Sequence, residues 1–389
     1  MIPYSRQNIN KKDILNVIKV LKSNTLTKGP VVKKFEQQIS KKFLSKYVVS
    51  SNSGSSSLHL ACLSLGLKKG DIAWTVPITY AASANCAINC GAKIDFVDIC
   101  PETLNISVEK LINKLAYAKL KKKLPKVLIP VHLAGQPYEQ KEIWKLSKKY
   151  NFKIIEDASH AIGAKHFGEK VGSCKWSDIT VFSFHPVKLI TTIEGGASLT
   201  NNKIYYEKMI SYRENGIITE KKLFKNNPYY QGYYEQISSG YNYRMNEVSA
   251  ALGISQLKRL NMFIKERNLI AAAYIKELKK LPIKFQKINK YNISSYHLFI
   301  IRFNLSKIKY NYKQIFKKFR DNGIFVNLHY KPLHLNPFFA KMGFKKKQFL
   351  NSENYANSSL SVPIFFNLKV SINIAVPVTA STDKSPSGG

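Results

Sequence analysis

Three apolar stretches constrain this chain most: "KVLIPVHLAG" at 126–135, "FKIIEDASH" at 152–160 and "DITVFSFHP" at 178–186. Each is a short, nearly continuous run, without the alternation of a strand that wets one face. Between the first two lies "KEIWKLSKKY" (141–150), with helical spacing at Ile143, Trp144 and Leu146. Strands buried on both faces that alternate with helices predict an α/β fold with a mostly parallel central sheet covered by helices. Ligands of such sheets bind beyond the carboxyl ends of the strands.

The spacing of Leu257, Leu260, Ile264, Ala271 and Ile275 predicts a long helix from about Met245 to Leu278. With 389 residues the chain has room for two domains. The expected division is a large α/β domain over 1–252 and a smaller α+β domain over 253–368. The last segment, 369–389, loses the Lys/Asn/Tyr habit of the rest, turns to Ser, Thr, Pro and Gly, and is expected to be a largely disordered tail. No apolar run reaches the ~18–20 residues of a membrane span, and the first residues carry no apolar signal core, so a cytoplasmic protein is expected.

The formal net charge is +37. The lysines are spread along the whole chain and not gathered in one stripe, and no zinc-finger, RRM or KH pattern is present, so a nucleic-acid partner is not expected. A general cationic field still favours anionic small substrates. Five cysteines fall in apolar sequence. Cys86 and Cys90 sit four apart without a second pair at zinc-site spacing, which reads as reduced thiols and no metal.

One lysine is unlike the others. Lys188, in "SFHPVKLITTIEGG" (183–196), has no charged neighbour until Glu194 and follows an apolar strand by a few residues. A lysine drawn out of water has a lowered pKa and becomes a usable nucleophile. Asp157 ends another apolar strand, and a carboxylate withdrawn there needs a cationic partner. A lysine for a Schiff base and an acid for a pyridinium nitrogen are what pyridoxal 5'-phosphate requires. "SSNSGSSSLHLACLSLG" (50–66) offers its phosphate the free N–H groups of a helix start, and "PITYAASAN" (77–85) offers its ring the face of Tyr80. Taken singly, these features are a cap, a turn acid, a core aromatic and a solvated lysine. Together and in this order they point to one cofactor.

These stretches, with "IPYSRQNI", "LTKGP", "VHLAGQP", "GYNYRMNEVSAALG" and "NLHYKPLH", resemble the DegT/DnrJ/EryC1/StrS family of sugar aminotransferases over roughly residues 1–368. The resemblance implies a fold-type-I, aspartate-aminotransferase-like transferase. In it Lys188 would bind the cofactor and Asp157 would pair with its ring nitrogen. His160 would approach its phenolic oxygen and Tyr80 would stack on its ring. Gly54, Ser55, Ser56 and Ser183 would hold the phosphate, with Asn242 reaching across from a partner subunit, so that the active site needs a homodimer. Tyr4, Arg213, Arg244, His329, Tyr330 and Lys331 fall on substrate-side segments.

The first and last of these motifs look closest to the branch that works towards pseudaminic acid. This implies amino transfer from L-glutamate to C4 of a UDP-linked 4-keto-6-deoxy-N-acetylhexosamine. A perosamine-type or 4-amino-arabinose-type keto-sugar is the alternative substrate, and a non-enzymatic nucleic-acid binder the more distant one. Trp74 stands where relatives carry a smaller aliphatic residue.

Overall fold

The computed structural model describes residues 1–219, 224–226 and 230–369. Beyond Lys369, the tail expected to be disordered lies outside the described residues.

Seven strands form the central sheet, in the spatial order Tyr47–Ser51, Gly196–Thr200, Ile179–Ser183, Lys153–Asp157, Val127–Leu128, Ile72–Thr75, Lys93–Phe96. All are parallel except Gly196–Thr200, which runs antiparallel to both its neighbours. The three runs singled out in the sequence are therefore adjacent strands. The one between 126 and 135 is the shortest of them, ending as a ladder at Leu128 and pairing again only at Val131 with Asp157.

Helices cover the sheet because their apolar residues fall on one side. In the Pro30–Phe43 helix, Phe35, Ile39 and Phe43 recur every four residues and are fully buried. Phe35 meets Phe184 edge-on at 5.4 Å between centroids, and Phe43 meets Phe182 at 4.9 Å. Burying each such side chain is worth about 2–3 kcal/mol. Trp74 finds room on the opposite flank, where Lys114 of the Val108–Leu120 helix lies over its ring at 4.9 Å while pairing with Asp95 at 2.6 Å.

The expected long helix spans Glu247–Leu278 without a break. At its start, the buried Glu247 carboxylate accepts from the N–H groups of Gly29, Val31 and Val32, and so caps the Pro30–Phe43 helix. Farther along, the buried Arg267 donates to the carbonyls of Tyr296, His297 and Ile364. It thereby joins the helix to a three-stranded antiparallel sheet of Ile283–Phe285, Phe299–Phe303 and Ser359–Val362. This sheet and the Tyr312–Asp321 helix bury a separate core around Ile301, Phe319 and Leu360. Among the described residues no helix is long and apolar enough to cross a membrane.

Candidate active site

Lys188 sits in a loop that leaves the Ile179–Ser183 strand and folds back on itself. The Phe184 N–H reaches the Gly195 carbonyl, and the Thr192 N–H returns to Phe184. Within that fold the Lys188 N–H donates to His185 at 2.9 Å. The side chain is half-buried. Withdrawal from water lowers its pKa from 10.5 to about 8, against the attraction of Asp157, which raises it.

Asp157 ends its strand buried, 4% exposed. Its Oδ1 accepts the Ser159 N–H at 3.1 Å and its Oδ2 the Ser83 hydroxyl at 2.6 Å. Ser83 in turn touches Thr79 Oγ1 at 2.6 Å.

Neutral rings surround this pair. The Ala134 N–H donates to His160 Nδ1 at 3.3 Å, so the proton of the neutral ring is on Nε2, 3.1 Å from the Tyr330 hydroxyl. Burial, with Lys188 and His329 nearby, holds the pKa of His160 well below its usual value. His329 is lowered to about 3 by burial and by Lys188; its Nδ1 meets Ser361 Oγ at 2.9 Å. Tyr4 packs on His329, ring centroids 5.0 Å apart. Tyr330 is kept protonated by burial and by Asp157, and its ring lies 6.2 Å from that of Tyr80, which exposes an open face.

The Gly54–Ser64 helix begins beside the end of the Ile179–Ser183 strand. Ser53 caps it by accepting the Ser56 N–H at 3.0 Å, and Ser56 donates its hydroxyl to Asn52. Helix geometry leaves the Gly54 and Ser55 N–H groups without partners in the helix, a place where an anion is favoured. A Cβ on Gly54 would stand 2.9 Å from Ser183 Cβ, so the close approach requires glycine. This cradle lies at the end of the strand that leads to Lys188.

The structure thus brings together Lys188, Asp157, His160, Tyr80, Tyr4, His329 and Tyr330, and, beside them, Gly54, Ser55, Ser56 and Ser183. It leaves four other sequence candidates outside this cluster in the single chain. Arg213 binds Glu36 at 2.9 Å and the Ser50 carbonyl at 3.0 Å, while Arg244 pairs with Glu214 at 3.3 Å. Both arginines line a cavity of about 730 Å³ with Lys28 and Tyr47. Lys331 is exposed. Asn242 is also exposed, in a segment that pairs with Glu214 and whose Tyr243 carbonyl receives the Asn52 N–H next to the cradle.

Sequence reasoning missed Ser83, Thr79 and His297. The ring of His297 lies 4.4 Å from that of His160, and burial together with His160 and Lys188 holds it neutral. No local signal marks it, because it arrives from the antiparallel sheet.

A lysine near its titration point, a bonded carboxylate, an open aromatic face and an anion cradle could together hold a phosphorylated aldehyde. The protein-family model for the DegT/DnrJ/EryC1/StrS aminotransferase family matches residues 7–372. A UDP-4-amino-4,6-dideoxy-N-acetyl-beta-L-altrosamine transaminase of Campylobacter jejuni is 39% identical over 365 residues, covering 93% of this chain and 92% of that protein. Among solved structures, Helicobacter pylori PseC, an aminotransferase of pseudaminic acid biosynthesis, superposes with a TM-score of 0.86 at 30% identity, covering 97% of both chains. The PLP form of the sugar aminotransferase Spr1654 of Streptococcus pneumoniae gives 0.85 at 25% identity, again over 97% of each chain.

Proposed function

Because the chain belongs to the DegT/DnrJ/EryC1/StrS aminotransferase family, we propose that it moves an amino group from L-glutamate to C4 of a UDP-linked 4-keto-6-deoxy-N-acetylhexosamine. The product is UDP-4-amino-4,6-dideoxy-N-acetyl-β-L-altrosamine, a step towards pseudaminic acid carried out in the cytoplasm. The similarity to the Campylobacter transaminase and to PseC supports this substrate class.

The residues present fit pyridoxal phosphate, on the evidence of the close approach at Gly54 and the helix start beside it, whose first N–H groups have no partners within the helix. Bound there, the cofactor supplies a carbonyl that exchanges amines and a ring that draws electrons from the carbon being deprotonated. Lys188 holds it and then serves as the base: at a pKa of about 8 its Nζ can take up and return a proton near neutral pH. Asp157, bonded on both oxygens, would pair with the ring nitrogen and keep it protonated. His160 presents its Nε2 proton on the same side as Tyr330. Gly54, Ser55, Ser56 and Ser183 take the phosphate, and Tyr80 covers the ring. In this reading residues 1–252 carry the cofactor, residues 253–368 supply His329, Tyr330 and Lys331 to the substrate, and Asn242 completes the site of a second copy in a homodimer.

The observation that carries the assignment is Lys188 itself, the amine drawn from water beside Asp157. The test is the visible absorbance of the purified protein with pyridoxal phosphate. A band that bleaches with L-glutamate and returns with 2-oxoglutarate supports the assignment, and a folded protein that shows no such band overturns it. Product masses from competing UDP-linked and GDP-linked keto-sugars then test the substrate. Preference for a perosamine-type or arabinose-type sugar would overturn that part alone.

A further inference from the structure

Two hydroxyls stand behind Asp157 that the roles above do not use. Ser83 Oγ is 2.6 Å from Asp157 Oδ2, and Thr79 Oγ1 is 2.6 Å from Ser83 Oγ. Ser83 is fully buried and Thr79 2% exposed, so water does not compete for either. A carboxylate only accepts, so the single hydroxyl proton of Ser83 goes to Asp157. That leaves Ser83 only lone pairs for Thr79, whose own proton must therefore point at Ser83. Both O–H dipoles are aimed the same way, towards the carboxylate.

Position in the chain explains how they come to be aligned. Thr79 lies in the bend that leads into the Ala82–Ile88 helix and Ser83 in the first turn of that helix, so the bend brings the Thr79 hydroxyl onto that of Ser83. A helical serine commonly turns its hydroxyl back to a carbonyl of the preceding turn. Here it reaches a carboxylate 74 residues away in sequence. Tyr80 lies between them, so one short segment supplies both the ring-stacking face and the support for the acid.

We propose that Thr79 and Ser83 form a two-hydroxyl relay that positions Asp157 and holds its charge out of water, and so sets how firmly the cofactor's ring nitrogen keeps its proton. This rests on the reading that Asp157 faces that nitrogen. Ser83 and Thr79 are positioning residues that act through Asp157. The Ser159 N–H does the same for the other oxygen, which leaves the carboxylate bonded from two sides and still able to accept a third partner.

The test compares wild type with Ser83→Ala, Ser83→Thr, Thr79→Val and Asp157→Asn. Four quantities are read: the thermal midpoint of the cofactor-free protein, the pyridoxal phosphate dissociation constant, the pH dependence of the bound cofactor's absorbance, and the single-turnover rate of bleaching by L-glutamate. Ser83→Ala should keep its colour and lose only a few degrees of its cofactor-free midpoint, yet bleach about 10-fold more slowly or worse, as expected for loss of a hydrogen bond to a charged group. Its absorbance should change at a different pH from wild type. Thr79→Val should shift both readouts the same way by less, and Ser83→Thr should restore them. Wild-type bleaching and an unchanged absorbance profile in Ser83→Ala, with Asp157→Asn slow, would overturn the relay alone. An uncoloured wild type, or an Asp157→Asn variant as fast as wild type, would overturn the underlying reading as well.

Discussion

Ser5 donates its hydroxyl proton to the Val187 carbonyl across 2.9 Å, which pins the N-terminal segment to the peptide just before Lys188. The same segment is tied at Ile2 to Ile324, and the Tyr4 carbonyl receives the Ile364 N–H. Four residues, Ile2 to Ser5, thus run from the second core to the lysine loop. Ser5→Ala is expected to cost about 1 kcal/mol, the usual worth of one such bond. The denaturant midpoint should fall at unchanged slope, and amide exchange should quicken at Val187 and Lys188.

The depressed pKa of Lys188 also has a consequence for the cofactor-free protein. The unfolded chain binds the proton up to about pH 10.5, and the folded chain releases it at about 8. Between these values the unfolded state holds more protons, so this group makes stability rise with pH, while below pH 8 the full penalty for charging it remains. Lys188→Met should therefore stabilise the cofactor-free protein at pH 7, on the order of 3 kcal/mol for a shift of this size. The gain should shrink as pH rises through that window, while turnover is lost at every pH. Thermal melts of both proteins from pH 7 to 10.5 provide the measurement.

Gly54→Ala places a methyl 2.9 Å from Ser183 Cβ, where the cradle closes. Ser183 must give way to it, and that shift displaces groups of the cradle, so anion binding should suffer beyond any loss of stability. Pyridoxal phosphate affinity is expected to drop about 10-fold or more, equivalent to ~1.4 kcal/mol, in a fluorescence titration of the cofactor-free protein. The thermal midpoint without cofactor should move by only a few degrees.

Glu156 is buried on the strand beside Asp157 and accepts from Tyr138 at 3.0 Å, from Thr180 at 2.6 Å and from Gln140. Burial pushes its pKa up, but His132 at 3.7 Å and the bonds from Thr180 and Gln140 more than offset this, and the result lies below 4.5. A depressed carboxyl stabilises the fold above its unfolded pKa, and that contribution is lost as pH falls below about 4.5. Glu156→Gln sets an amide donor against groups that already donate, and should cost about 1–3 kcal/mol at pH 7. The variant should also lose stability less steeply between pH 4.5 and 3, as followed by urea titration at each pH.

The strands, the long helix and the Lys188–Asp157 pair were legible because each is written locally: an apolar run, a 3.6-residue rhythm, a charge without charged company. The direction of Gly196–Thr200 was not, since a fully buried strand shows the same residues whichever way it runs. Ser83 and His297 were invisible for a different reason. A serine in a stretch of alanines reads as a small helix residue, and only the arrival of Asp157 from another strand gives it a task. Arg213 and Arg244 stand differently. Sparing use of arginine made them look like ligands for a substrate, whereas in the single chain their charges are met by Glu36 and Glu214.

The Glu247–Leu278 helix gives one beam to both halves of the molecule. At 1.5 Å per residue its 32 residues extend about 48 Å. It is clamped at one end by Glu247 on the Pro30–Phe43 helix and about two-thirds of the way along by Arg267 on three carbonyls. A strut held this way ties the two halves to one rigid element and opposes their swinging apart like a jaw. Entry and departure of a bulky sugar nucleotide then fall to short surface segments at the rim, and an engineer seeking a different sugar should reshape the rim and leave the strut alone.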